Sequence, residues 1–197
     1  MGFSLGRFSV YFDFTFFAVT VLFLSTDAAQ YWWWTFSALL LHELGHLVAA
    51  KLVGIDLVQL RFSCFGITLQ RRGILSGWRQ EAVVFLGGPA VNLCCAGILS
   101  VLEKPFPFLL PPREIHLIMG IFQLLPIGAL DGGCLSDALL HHFFSSMAAD
   151  RASIILSAVV LVPLSWLGWL LLQGPQRNFT LLLCCGFLIF SILWEGS

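Results

Sequence analysis

His42, Glu43 and His46 stand in the order H-E-x-x-H within the apolar stretch 31–53. On a helix, positions four apart differ by roughly 40° in phase and one turn in height, so both imidazoles can reach one ion. The carboxylate between them can take a proton from a water on that ion, the logic of zinc hydrolases. Ionisable groups are costly in a membrane helix and usually mark function there. The competing account has Glu43 pair with a histidine as structural glue, with no metal. A catalytic zinc needs three protein ligands and one open position. The third ligand expected is Asp131, in the run Leu124-Leu125-Pro126-Ile127-Gly128-Ala129-Leu130-Asp131-Gly132-Gly133. Pro126 ends a helix there, and the glycines allow a tight turn about the carboxylate. A buried carboxylate without a cation is expensive. Asp131 can also act as an N-cap of the next helix.

The elements that must position these residues are membrane helices. Of 197 residues, 58% are hydrophobic and 11% are charged, against about 25% charged in a soluble domain, so lipid is the expected solvent. Lys and Arg total 10, Asp and Glu 11, a balance with no basic field to hold nucleic acid. Cys64, Cys94, Cys95, Cys134, Cys184 and Cys185 form no C-x-x-C pair and read as small hydrophobes rather than a sulfur zinc site or a disulfide framework. Arg7 followed by the apolar run 14–24 and by Ala28 and Ala29 is compatible with a cleaved leader, but a retained anchor fits the later spans better.

Six membrane helices are expected: 11–25, 31–53, 81–102, 114–125 (broken at Pro126), 152–172 and 179–194. Trp32, Trp33 and Trp34 mark an interface, Gly54 stops the second helix, and Asp13 is a candidate cap of the first. Residues 8–12 suit a short strand. Val58, Leu60 and Phe62, then Ile67 and Leu69, alternate with polar residues, the pattern of a small membrane-associated β-hairpin. His116 reads as a packing residue, and Asp137, His141 and His142 as a solvated interfacial face. The expected fold is an all-α multi-pass bundle with that small hairpin or sheet, as a single domain over 1–197. Lys51, Arg61, Arg71, Arg72 and Arg79 fall in 51–79, whereas 26–30 has no basic residue. The positive-inside rule then puts the amino terminus and the active-site side in the cytoplasm, within the cell membrane. His46 lies five residues before Lys51, about 8–14 Å below that surface.

Three motifs together resemble the site-2 protease family of intramembrane metalloproteases: His42-Glu43-Leu44-Gly45-His46, then Gly88-Pro89-Ala90-Val91-Asn92, then Leu124-Leu125-Pro126 through Asp131-Gly132-Gly133. The likeness covers residues 8–145; residues 146–197, two further helices, match in hydrophobicity alone. Gln123 stands where the family usually has Asn, and Gly128 and Ala129 replace frequent prolines. No PDZ or CBS segment is visible, so the chain resembles a minimal bacterial or archaeal core of the sporulation type.

The resemblance implies one Zn²⁺ on His42, His46 and Asp131, with Glu43 as general base. Asn92 and Gln123 become candidates for amide contacts to substrate, and Asn92 equally for helix–helix hydrogen bonding. Substrates would be membrane-associated or single-span proteins, cut after unwinding; the hairpin could add a substrate strand or simply pack on the bundle. A regulatory membrane partner fits the same picture. The alternatives are a catalytically inactive scaffold of this fold and a metal transporter, which usually shows paired repeats not visible here.

Overall fold

The computed structural model describes residues 2–5, 8–12, 30–54, 57–63, 66–71, 77–174 and 179–195. The chain divides into two compact units, Met1–Phe122 and Gln123–Ser197. The first span expected from sequence, and with it the Asp13 cap and the leader, falls outside the described residues except for Tyr11 and Phe12.

In the first unit, β1 (Gly2–Leu5), β2 (Phe8–Phe12), β3 (Leu57–Ser63) and β4 (Gly66–Arg71) lie side by side in that order. β1 and β2 are antiparallel, as are β3 and β4, where Ser63 faces Gly66. β2 runs parallel to β3, with Ser9 opposite Gln59 and Phe12 opposite Phe62. Three helices complete the unit: α1 (Trp32–Leu52), α2 (Trp78–Leu102) and α3 (Leu110–Gln123). Gly54 ends α1 with a φ of +77°, which a side chain would resist. The Arg113 Nε lies 2.6 Å from Glu103 Oε2 and ties the start of α3 to the end of α2.

α1 is inverted relative to a helix of a water-soluble protein. Its buried stripe is Ala38, His42, Glu43, Gly45, His46, Ala49 and Ala50. Its large apolar side chains, Leu41, Leu44, Val48 and Leu52, are exposed, Leu52 by 79%. α1 and α2 can approach closely because Gly45 and Gly87 meet there: a Cβ on Gly87 would lie 2.6 Å from the Gly45 carbonyl oxygen and 2.7 Å from Ala49 Cβ. Small residues at a helix crossing and apolar residues outside are the packing of helices in lipid.

The second unit holds α4 (Asp131–Phe143), α5 (Ser146–Gln173) and α6 (Thr180–Glu195). The loop 124–130 is closed on itself by Ile127 N–H to Leu125 O (2.8 Å) and Leu130 N–H to Ile127 O (2.7 Å). Ser157, buried on α5, grips it from the side. The Gly128 N–H donates to Ser157 Oγ at 3.1 Å, and that hydroxyl donates to the Pro126 carbonyl at 3.5 Å. Ser157→Ala strands both loop groups and is expected to cost about 1–3 kcal/mol; thermal unfolding in detergent checks it, and an unchanged midpoint refutes it. His141 bonds Asp150 Oδ1 at 3.1 Å and the Asp137 carbonyl at 3.0 Å, on the exposed face assigned to it from sequence. The hydrogen bond to the Asp137 carbonyl and the nearby carboxylates raise its pKa, against the opposing effect of burial.

The expectation of about six membrane helices with a small hairpin or sheet is corrected. Six α-helices occur among the described residues, but only α2 and α5 are long and apolar enough to cross a membrane. At 1.5 Å per residue α3 and α4 reach roughly 20 Å, short of the ~30 Å hydrocarbon core. α1 has the length, but it carries His42, Glu43, His46 and Lys51. The expected hairpin is likewise two strands of a four-stranded order that includes residues 2–12. The outward apolar faces of α1, α2 and α5 support association with a membrane.

Candidate metal centre

His46 is oriented by a hydrogen bond that settles its tautomer. Its Nδ1 lies 2.7 Å from the Val84 carbonyl of α2. A carbonyl only accepts, so Nδ1 carries the proton and Nε2 of the neutral ring keeps its lone pair. That Nε2 lies 3.1 Å from His42 Nε2, with the two rings at 83°. The α-helical spacing of four has thus brought two imidazole tips to one point.

Room beside those tips comes from Gly88. A Cβ there would sit 2.7 Å from His42 Nε2 and still nearer His46 Nε2. The space that a methyl group would fill lies against the two ligand nitrogens. His42, 1% exposed, is held on its far side by Asn92 of α2, whose Nδ2 donates to His42 Nδ1 at 3.2 Å. Asn92 in turn accepts at Oδ1 from His116 Nδ1 of α3, at 3.0 Å. Asn92 and His116 are 0% and 4% exposed.

Asp131 is the first residue of α4, with Leu130 as the cap. It is therefore not the N-cap that sequence allowed, but it stands in the first turn, where the helix dipole favours a carboxylate. The glycines after it serve close approach rather than an unusual φ. A Cβ on Gly132 would lie 2.6 Å from the Leu125 oxygen, and one on Gly133 2.7 Å from Gly128 Cα. His42, His46 and Asp131 each offer a ligand atom, and these atoms all lie within 4.8 Å of one another. Two neutral nitrogens and a carboxylate oxygen are donors suited to zinc. The donor set and the space at Gly88 both fit such an ion. Glu43, 8% exposed, follows His42 directly. Gln123 is the last residue of α3, at the entry to the loop 124–130.

The chain has the architecture of a solved protein. The site-2 protease from Methanocaldococcus jannaschii superposes with a TM-score of 0.73, covering 99% of this chain and 94% of that one at 21% identity. The fold is that of a site-2 protease. Two sequence relatives carry zinc-metalloprotease names. Rip3 of Mycobacterium tuberculosis, named as a zinc metalloprotease, is 25% identical over 174 residues, 73% of this chain and 44% of Rip3. The sll0528 protein of Synechocystis, also named as a zinc metalloprotease, is 29% identical over 106 residues, 50% of this chain and 28% of that protein. The match thus spans less than half the length of either relative. No protein-family model matches the chain.

Sequence reasoning read His116 as a packing residue, and it is buried and hydrogen-bonded to Asn92; it missed that bond, Ser157 and the Val84 carbonyl. His116 gave a faint signal, as a lone imidazole on an apolar helix, and Ser157 another, as a hydroxyl among aliphatic residues. A backbone carbonyl gives none.

Proposed function

We propose that this chain is an intramembrane zinc metalloprotease that hydrolyses peptide bonds of membrane-associated or single-span proteins. The observation that carries the reading is the grouping of His42, His46 and Asp131 around one point, with Glu43 next to it in the chain. In this reading His42 and His46 ligate through Nε2 and Asp131 through a carboxylate oxygen. Zinc held there would supply a Lewis acid and would acidify a water toward a pKa of about 7. Glu43 would serve as the general base and would return the proton to the leaving amine. Its burial keeps the proton from exchanging with bulk solvent during the transfer. Gln123 offers its amide to the substrate backbone, on an arm one methylene longer than Asn.

The substrate must be extended before it is cut, because helical carbonyls are bonded and shielded. β4 ends the sheet, and its edge is suited to adding such a strand. The basic residues of 51–79 favour a multi-pass chain with its amino terminus and active-site side in the cytoplasm. In this reading both units serve one protease domain, and a regulatory membrane partner controls access to it.

The test is metal content per chain in purified, detergent-solubilised protein. About one zinc is expected in the wild type, with loss in His46→Ala and in Asp131→Ala. Zinc that survives Asp131→Ala means a different third ligand. Well-folded wild type that takes up no metal leaves a membrane scaffold of this fold.

A further inference from the structure

His42 faces a requirement that His46 does not. To ligate through Nε2 as a neutral ring, it must carry its proton on Nδ1, and Nδ1 meets the side-chain amide of Asn92. The donors of the four residues run in one direction: His116 Nδ1 to Asn92 Oδ1, Asn92 Nδ2 to His42 Nδ1, His42 Nε2 to His46 Nε2, and His46 Nδ1 to the Val84 carbonyl. In that direction the His42 proton lies on Nε2. The two ends of an Asn amide are nearly isosteric. Turned over, Asn92 presents Oδ1 to His42 and Nδ2 to His116. His42 then donates from Nδ1 and frees Nε2, while His116 accepts at Nδ1 and carries its own proton on Nε2.

We propose that Asn92 and His116 are positioning residues of the metal centre: the Asn92 amide sets the tautomer and ring plane of His42, and His116 holds the amide. The proposal rests on the metalloprotease reading. It reassigns Asn92 from substrate contact to support of a ligand, since both ends of its buried amide have imidazole partners. It also gives a role to His116, a buried histidine on α3 outside the ligand set. Partners that orient a ligating histidine typically matter by 10–100-fold in metal affinity.

Zinc affinity is measured by chelator competition on the full chain in detergent, and the visible spectrum of the cobalt-substituted protein reports ligand geometry. Asn92→Leu is expected to weaken zinc binding about 10–100-fold, and Asn92→Asp, which still accepts from His42, to stay within about threefold of wild type. His116→Leu is expected to weaken it about 10-fold and to shift the cobalt bands, while His116→Asn, whose Oδ1 falls near the place of Nδ1, restores both. The rescue separates positioning from packing, because His116→Asn shrinks the side chain whereas His116→Leu keeps its bulk. Should the leucine variants fail to fold, the two conservative variants still decide: Asn92→Asp or His116→Asn with the tenfold or greater loss assigned to the leucines overturns the proposal. Folded leucine variants with wild-type affinity and spectrum overturn the relay alone. Wild type that binds no zinc overturns the metalloprotease reading and the relay with it.

Discussion

Glu43→Gln is expected to lower the rate of peptide hydrolysis about 10²–10⁴-fold while the bound zinc remains. The amide keeps the shape of the carboxylate but cannot accept the proton of a water at neutral pH. The ligands are untouched, because His42, His46 and Asp131 supply the donor set without it. Glu43 is buried on α1 beside both histidines, and the substitution removes an ionisable group from the helix interior while keeping the side chain's size. Cleavage of a labelled, extended polypeptide, read beside metal content per chain, separates base from ligand. Turnover at the wild-type rate in Glu43→Gln would show that another group takes the proton. Zinc lost together with activity would make Glu43 a structural support of the centre instead.

The residues that can be read in sequence are those whose geometry is local. His42 and His46 are neighbours on any helix, so their spacing was enough to define a pair of ligands. Asp131 could be singled out because Pro126 and the following glycines mark a break in an apolar chain. The glycines themselves were read for turning, whereas the structure uses Gly132 and Gly133 for backbone approach. The link His42–Asn92–His116 joins three helices over 74 positions, 42 to 116. It leaves no period in the sequence: His116 alone reads as packing, and Asn92 reads equally as a substrate contact and as a helix–helix hydrogen bond. The count of membrane helices failed for a related reason. Hydropathy marks apolar stretches, but it does not say that 114–125 belongs to a 14-residue helix or that the histidine-bearing stripe of α1 faces inward. The pairing of β2 with β3 is parallel and crosses some 50 positions, so no turn signal announces it.

Gly88 tests the shape of the centre as Glu43 tests its chemistry. Gly88→Ala is expected to weaken zinc binding by about 10²-fold or more, a loss of roughly 3 kcal/mol. The added methyl group would stand 2.7 Å from His42 Nε2 and Cε1, and closer to His46 Nε2, in the space beside the lone pairs. The rings cannot simply swing away. His46 is tied to Val84 O at 2.7 Å and His42 to Asn92 at 3.2 Å, and a retreat of either ring gives up one of these bonds. Gly97→Ala on the same helix is the control, since a Cβ there meets nothing within 4 Å. That change is expected to leave zinc affinity unaltered and to favour the helix by up to ~1 kcal/mol. The contrast matters because both substitutions make the same chemical change in α2. A helix-propensity effect would act on both alike, whereas a steric effect at the metal acts on Gly88 alone. Wild-type zinc affinity in a folded Gly88→Ala protein would mean that the ion binds away from the two imidazole tips, and the ligand assignment of His42 and His46 would fall.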